Sequence, residues 1–267
     1  MTEEFKQFVR QRAELEDIWI LPAPLSKGRS SPEPEVPANV REKQLNQEKP
    51  VPTMKDTQIE LPVFADGEEK YLALSRYESL AQLDKGICDC TRCELGKTRT
   101  KFVFGVGSHQ AELVFIGEAP GKDEDEQGIP FVGRAGKLLT EMLGQAGLSR
   151  DEVYICNVLK CRPPENRDPL PNEVATCEGY LHRQLELLKP KLLVALGRIA
   201  GQTLLNVPNA SSAKLRSQEH IYRGIPLMVT YHPAYILRDM NRKWEGIADL
   251  AKIKDRLISL GGTRGIN

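Results

Sequence analysis

The chain has 267 residues, 37 basic and 37 acidic side chains, and an apolar content of 40%, which is enough for one large or two small globular cores. No apolar run approaches the roughly 20 residues of a membrane span, and the acidic, amphipathic first residues do not read as a secretory signal. We therefore expect a cytoplasmic protein, in which six reduced cysteines point to metal binding or catalysis rather than to disulfides.

The first part of the chain predicts two regions that precede a folded domain. Residues 1–20 place apolar side chains at helical spacing and predict an amphipathic helix, for which a protein partner is a hypothesis. Residues 21–70 are rich in proline, serine and charge, and such a segment buries too little apolar surface to order itself, so we expect a disordered linker. Residues 71–267 are expected to form the domain, and a helix over 71–85 would lead into its cysteines.

From about residue 88 the pattern predicts an α/β fold with a largely parallel sheet. Short apolar runs predict four buried strands, at 112–117, 153–158, 191–197 and 225–233. Helical patterns lie between them, at 134–147, 171–188 and 198–205. Because ligands bind beyond the carboxyl ends of strands in such sheets, the segments that follow the strands are the expected site: "GEAPG", "NVLKCRPPENR", "GRIA" and "HPAY".

The cysteines predict a metal centre. Four thiolates could hold an iron–sulfur cluster or tetrahedral zinc, and the candidates are a C-x-x-C pair and two later cysteines: Cys90, Cys93, Cys161 and Cys177. The alternative is that the later two are ordinary buried cysteines. Cys156 lies inside an apolar strand and is expected in the core, and Cys88 is left over.

A turn rich in carboxylates follows the first predicted strand. It is not a Walker A loop, because the required spacing is absent. One or two of its acidic side chains could position water or stabilise a developing cation, whereas Asp123, Asp125 and Glu126 are expected to form a solvated helix start. The candidates for the site are Glu118 and Glu124.

Further candidates lie in the segments beyond the strands. Phe131 could stack on a planar ligand, or it could belong to the core. Asn157 ends the second strand, where its amide could read a pyrimidine edge or cap the backbone. Asn166 belongs to a basic loop, with Lys160, Arg162 and Arg167, that could meet phosphates or solvent. His232 stands at the exit of the fourth strand.

Taken together, these segments resemble the family 4 uracil-DNA glycosylases, the iron–sulfur branch of that superfamily. The matching pieces run in the family's order over residues 90 to about 255, and the first 80 residues lie outside the match. They are "CTRCELGKTRT", "FGVG", "FIGEAPGKDEDEQGIPFVGRAGKLL", "YICNVLKCRPPENRDPLPNE", "VALGRIA" and "TYHPAYILR".

The resemblance implies a three-layer α/β/α fold around a four-stranded, mostly parallel sheet. It also implies a structural [4Fe–4S] cluster held by Cys90, Cys93, Cys161 and Cys177, with Cys88 and Cys156 left out. The basic residues after the first pair would lie near DNA phosphates: Lys97, Arg99 and Lys101.

The activity that the resemblance implies is removal of uracil from single- or double-stranded DNA by a monomeric enzyme. The nucleotide would be flipped out of the stack. Phe131 would then stack on the base, Asn157 would read its N3 and O4, and His232 would donate to O2, where charge develops. The backbone from Gly117 to Ala119 would line the pocket.

The same resemblance assigns water positioning and cation stabilisation to Glu118 and Glu124, with support from Asn166. Ala119 occupies a slot that holds a water-activating Asp in other branches of the superfamily. No lysine nucleophile is implied, which predicts a monofunctional enzyme. Candidates for the wedge that replaces the flipped base follow His232: Tyr235, Ile236, Leu237 and Arg238. The alternatives are a non-catalytic DNA-binding accessory factor and a small redox carrier.

Overall fold

The computed structural model describes residues 73–263, and in them six strands form one mixed sheet. The strand order is β1-β3-β2-β4-β6-β5. The strands are β1 (Val106–Gly107), β2 (Leu113–Gly117), β3 (Tyr154–Asn157), β4 (Leu192–Leu196), β5 (His220–Tyr222) and β6 (Ile225–Thr230). The predicted helix over 1–20 and linker over 21–70 lie outside the described residues.

The four predicted strands form the parallel centre of this sheet. β2 pairs with β3 and β4, β4 pairs with β6, and all three pairings are parallel. Gly117 is the register partner of Asn157. The chain segments that follow these four strands therefore leave the sheet at one edge, and this arrangement builds the site.

The sheet also has two edge strands that were not predicted. β1 and β5 are two and three residues long and pair antiparallel with β3 and β6. Neither is a buried apolar run, since Val106 and Ile221 are exposed. Short, partly solvated edge strands lack the continuous apolar pattern by which buried strands are recognised.

Three helices lie where the apolar periodicity predicts them, at Arg134–Gln145, Pro171–Leu188 and Arg198–Leu205. Leu80–Ile87 forms α1 after a cap in which the Ser79 hydroxyl accepts from the Gln82 N–H, so this helix begins later than the predicted 71–85. The others are α2 (Leu95–Thr98), α3 (Lys122–Gln127), α4 (Arg134–Gln145), α5 (Pro171–Leu188), α6 (Arg198–Leu205), α7 (Ser212–Arg216), α8 (Pro233–Arg238) and α9 (Lys243–Ser259), with short 3-10 turns at Pro164–Asn166 and Met240–Arg242.

Two apolar cores, one on each face of the sheet, confirm the three-layer α/β/α class. Alternate residues of a strand point to opposite faces. Val114 and Ile116 belong to the core with α1, α5 and α6. Leu113 and Phe115 belong to the core with α4 and α9. No helix among the described residues combines the length and the apolar character needed to cross a membrane.

Candidate active site

A cavity of about 790 Å³ opens at the carboxyl ends of the parallel strands. All four segments that were expected to meet there contribute to its wall. Glu118 follows β2, Asn157 ends β3, Arg198 follows β4 and His232 follows β6. The cavity brings together the candidate side chains named from the sequence: Glu118, Ala119, Glu124, Phe131, Asn157, Asn166 and His232.

Gly117 is not among the residues that line this cavity, but it lies against two that are. A Cβ on Gly117 would stand 2.3 Å from Asn157 Oδ1 and 2.7 Å from Phe131 Cζ. Any side chain at this position would therefore displace both neighbours. The missing side chain lets the amide and the aromatic ring share one corner of the cavity.

The amide oxygen of Asn157 is buried without a hydrogen bond. Asn157 is 2% exposed, and its Oδ1 has no partner in the part of the chain that the structure describes. A strand-end cap, which was the alternative interpretation, would engage this oxygen. Because buried polar groups are nearly always hydrogen-bonded, an orphaned oxygen in a cavity wall marks a place for a ligand's donor.

The main chain of Asn157 is held from below by Lys160. Lys160 Nζ donates to the Asn157 carbonyl oxygen at 2.8 Å and to Gln184 Oε1 at 2.6 Å. Lys160 is fully buried, so it meets neither phosphates nor solvent, the two alternatives left open for it. Its side chain turns into the core behind the second strand instead of toward solvent.

His232 presents a neutral ring with a defined proton position. Its Nδ1 accepts the Ala234 N–H at 3.1 Å, so the ring proton of the neutral form is on Nε2. Burial, with a contribution from nearby Arg238, lowers the pKa of His232 to about 4. The ring is therefore a neutral Nε2–H donor at physiological pH, and its centroid lies 5.7 Å from that of Phe131.

Glu118 has a carboxyl group whose pKa is raised well above that of an ordinary glutamate. Burial, and then the nearby charge of Asp168, raise the pKa of Glu118 to about 7, while Arg198 opposes them. A carboxyl group that titrates near neutral pH is suited to accept or hold a proton there. Asp168 and Arg198 also line the cavity, so the three charges form one group.

The other carboxylates of the acidic turn hold backbone. Glu124 Oε1 accepts the N–H groups of Val132 and Gly133 at 3.0 and 3.1 Å. Asp125 was expected in a solvated helix start, and this was wrong. It is buried, and both of its oxygens accept the Thr100 N–H, which ties α3 to the segment after the first cysteines.

The loop that carries Asn166 is held by one ion pair and one hydrogen bond between side chains. Arg167 pairs with the buried carboxylate of Glu173 through both of its terminal nitrogens, at 2.9 and 2.6 Å. Asn166 Oδ1 accepts the Arg162 Nε–H at 2.8 Å. Asn166 and Asp168 thus reach the cavity wall on a stiffened turn.

Several cavity residues were missed in the sequence. Asp168 had no signal beyond its place in the loop after the second strand. Arg198 belongs to the "GRIA" segment, where strand order alone could have named it. Arg216, whose guanidinium lies 3.5 Å from the ring centroid of Tyr231, comes from α7, which no strand rule predicts.

The helix after His232 narrows the choice of wedge residue. Ile236 is fully buried, so it is not available. Tyr235 is 37% exposed, lines the cavity and stacks on Tyr231 with centroids 5.4 Å apart. Arg238 is also exposed and lines the cavity, and Leu237 is half-buried.

The four cysteines named as ligands lie near one another, with Cys177 in α5 and Cys161 in the loop that follows β3. Burial raises the pKa of the Cys161 and Cys177 thiols, and neighbouring cysteines add to this effect: Cys90 and Cys93 for Cys161, and Cys161 and Cys93 for Cys177. Tyr180 donates its hydroxyl to Cys90 Sγ at 3.1 Å. Cys156 is in the core as expected. No group of three or more His, Cys, Asp or Glu side chains within residues 73–263 is arranged so that it could hold a metal ion.

Arg99 serves these cysteines, and its expected place beside DNA phosphates was wrong. Its guanidinium donates to Cys161 Sγ at 3.4 Å, to the carbonyl oxygen of Cys88 at 2.9 Å and to that of Cys90. A cation and a hydroxyl that donate to sulfur suit thiolates which carry negative charge onto a cluster.

Comparison with known proteins agrees with the resemblance seen in the sequence. Residues 104–254 match the model of the uracil DNA glycosylase superfamily. A type-4 uracil-DNA glycosylase of Archaeoglobus fulgidus is 48% identical over 183 residues, which are 66% of this chain and 92% of that protein. Those of Thermotoga maritima and Sulfurisphaera tokodaii are 41% and 40% identical, over 67% and 68% of this chain and 95% and 86% of theirs.

Proposed function

The chain belongs to the uracil DNA glycosylase superfamily, and within it to the type-4 family, and from this premise we propose the reaction that its cavity performs. The protein removes uracil from DNA in base excision repair. The nucleotide is flipped out of the stack, the base enters the cavity, and the N-glycosidic bond is hydrolysed to leave an abasic site.

The observation that carries this function is the orphaned oxygen of Asn157. Uracil presents an N–H donor at N3 beside an acceptor at O4, and an amide presents the complementary acceptor and donor. The unpartnered Oδ1 accepts from N3, and the amide nitrogen donates to O4. An apolar base of the same shape would leave this buried oxygen unpaired, which makes the contact selective.

His232 supports the step in which the bond breaks. As the base leaves, negative charge grows on it, and a fixed donor aimed at that charge lowers the barrier. The Nε2–H of a neutral ring donates to uracil O2 without the cost of holding a buried cation. Phe131, against which this ring rests, stacks on the base.

Glu118 is the residue that we assign to the attacking water. Its pKa near 7 makes the ionised form accessible at the pH of the reaction, and it stands in the turn where Ala119 provides no carboxylate. Asp168 and Glu124 line the same cavity and add negative charge that favours a developing sugar cation. Asn166 supports this group from the stiffened loop.

The enzyme is monofunctional in this proposal. Among the described residues that line the cavity there is no lysine to attack the sugar as an amine nucleophile. The buried Lys160 donates to Asn157 and Gln184 instead. Hydrolysis by water, without strand cleavage, is the reaction that these residues support.

A [4Fe–4S] cluster is the metal centre that we propose for the four cysteines. Their thiols lie close enough to affect one another's pKa, and Arg99 and Tyr180 donate to two of the sulfurs, as donors to cluster thiolates would. Cys90, Cys93, Cys161 and Cys177 would hold it, and the bound cluster would supply structural cross-linking. Cys161→Ser should lose visible absorbance and thermal stability, and Cys88→Ser should lose neither.

The test of the function is a glycosylase assay on matched oligonucleotides with and without one uracil, followed by alkali. Uracil-dependent cleavage that requires the alkali step supports a monofunctional glycosylase. Binding of uracil-DNA without base release would instead favour the accessory factor, and reversible cycling of the cluster would favour the redox carrier.

A further inference from the structure

Phe131 holds an unusual backbone conformation for an aromatic residue. Its φ is 52°, in the left-handed region that bulky side chains avoid. The residue is only 7% exposed, although it lines the cavity. A strained residue of this kind persists when its surroundings over-determine it, and strain of this type collects at functional sites.

Arg150 holds the carbonyl groups of this strained residue and of the residue before it. Its Nη2 donates to the carbonyl oxygens of Pro130 and Phe131, at 3.1 and 3.0 Å. Its Nη1 donates to Thr140 Oγ1 at 3.1 Å, and that hydroxyl donates in turn to the Gly136 carbonyl. One guanidinium therefore ties the loop before α4 to the first turns of that helix.

Glu124 and Gly136 complete the constraint. The Glu124 carboxylate accepts the two N–H groups that follow Phe131, those of Val132 and Gly133. A Cβ on Gly136 would stand 1.8 Å from the Phe131 carbonyl oxygen, so the helix accepts this carbonyl only at a glycine. A cation thus holds the carbonyls and an anion holds the amides on either side of one aromatic residue.

We propose that Arg150 is a positioning residue that fixes the ring of Phe131 at the stacking position of the extruded base. The inference rests on the proposed function, which it extends to a residue outside the cavity wall. Arg150 is absent from that wall, so it acts on the base only through the loop. Without it, the loop relaxes from the left-handed conformation, and the ring leaves the corner that it shares with Gly117 and Asn157.

The experiment compares full-length Arg150→Met and Arg150→Lys with a matched control, Arg256→Met. Arg256 forms a two-nitrogen ion pair with Glu219 and does not line the cavity. Because small misplacements of a positioning group carry large rate costs, Arg150→Met should lower kcat/KM for uracil-DNA about 10- to 100-fold. The inhibition constant for free uracil should rise in parallel. Arg150→Lys, which offers one ammonium to the same carbonyls, should recover part of both, and the control should match wild type.

A double-mutant cycle with Phe131→Ala separates this role from general stability. Once the ring is gone, adding Arg150→Met should change free-uracil inhibition by less than about twofold, because both substitutions remove the same contact. Independent, multiplying effects would overturn the inference, as would wild-type uracil inhibition in a folded Arg150→Met or Arg150→Lys protein. If wild type neither released nor bound uracil, the proposed function itself would fall, and this inference with it.

Discussion

The buried Nζ of Lys160 lies 2.8 Å from the main-chain carbonyl oxygen of Asn157 and donates to it. Lys160 directly precedes Cys161 in the chain, and Asn157 holds the orphaned amide oxygen in the cavity wall. The Lys160 side chain therefore links Asn157, which is proposed to bind uracil, to the chain segment that carries Cys161.

Lys160→Met tests this link. The substitution removes the donor to the Asn157 carbonyl and to Gln184 Oε1, and loss of such buried hydrogen bonds costs about 1–3 kcal/mol of stability. We expect a lower melting temperature together with reduced uracil excision, measured by calorimetry and by kcat/KM. Lys252→Met, which removes an exposed lysine of α9 that does not line the cavity, is the control. Unchanged excision in a destabilised Lys160→Met protein would show that Asn157 is placed without this lysine.

Gly117→Ala should close the corner of the cavity. The added methyl would stand 2.3 Å from Asn157 Oδ1 and 2.7 Å from Phe131, so both must move, and excision should fall at least tenfold. Overpacking of this kind costs about 1–3 kcal/mol in stability.

Gly144→Ala is the matched control for that substitution. Gly144 lies in α4, and a Cβ there would meet nothing within 4 Å. The change should stabilise the helix by about 0.5–1 kcal/mol and leave excision unchanged. Full activity in Gly117→Ala would contradict the close packing of Gly117 against Asn157 and Phe131.

The pH dependence of excision should report Glu118. If its ionised form positions the water, kcat/KM rises as the pH rises through about 7, and Glu118→Gln removes this limb. His232, with a pKa of about 4, stays neutral across the same range and therefore adds no further pH dependence to kcat/KM. A profile that Glu118→Gln leaves unaltered in shape would exclude this carboxylate as the titrating group.

The raised pKa of Glu118 should also make the thermal stability of the protein depend on pH. The pKa of Glu118 in the folded chain is above that of an unfolded glutamate, so the folded state binds the proton more tightly. The resulting stabilisation is present at low pH and is lost as the pH rises through about 7. Glu118→Gln should therefore raise the melting temperature more at pH 8 than at pH 5, measured against wild type.

The sequence predicted those parts of the molecule that depend on repeated or ordered patterns. The four buried strands were visible as apolar runs, and the strand order then placed Asn157 and His232 at one edge. The edge strands β1 and β5 were not visible, because a strand of two or three partly exposed residues has no such run.

Charged residues were predicted less well, since a charge in a sequence does not show which partner will bury it. Lys160 is expected to meet phosphates or solvent and Asp125 to be solvated, but both are buried. Asp125 accepts a main-chain N–H, and Lys160 donates to a main-chain carbonyl oxygen and to Gln184 Oε1. Arg99 faces the cysteines for the same reason. Asp168 acts on Glu118 only through the fold, so no local pattern could reveal it.

The measurement that tests the central claim most directly is excision by Asn157→Ala on an oligonucleotide with one uracil. The control is Asn209→Ala, at an exposed position. Because the amide is assigned to read the base, kcat/KM should fall at least about 100-fold in Asn157→Ala, with the melting temperature within a few degrees of wild type. Asn209→Ala should remain fully active. Near-normal turnover in a folded Asn157→Ala protein would contradict the assignment of the orphaned amide to uracil.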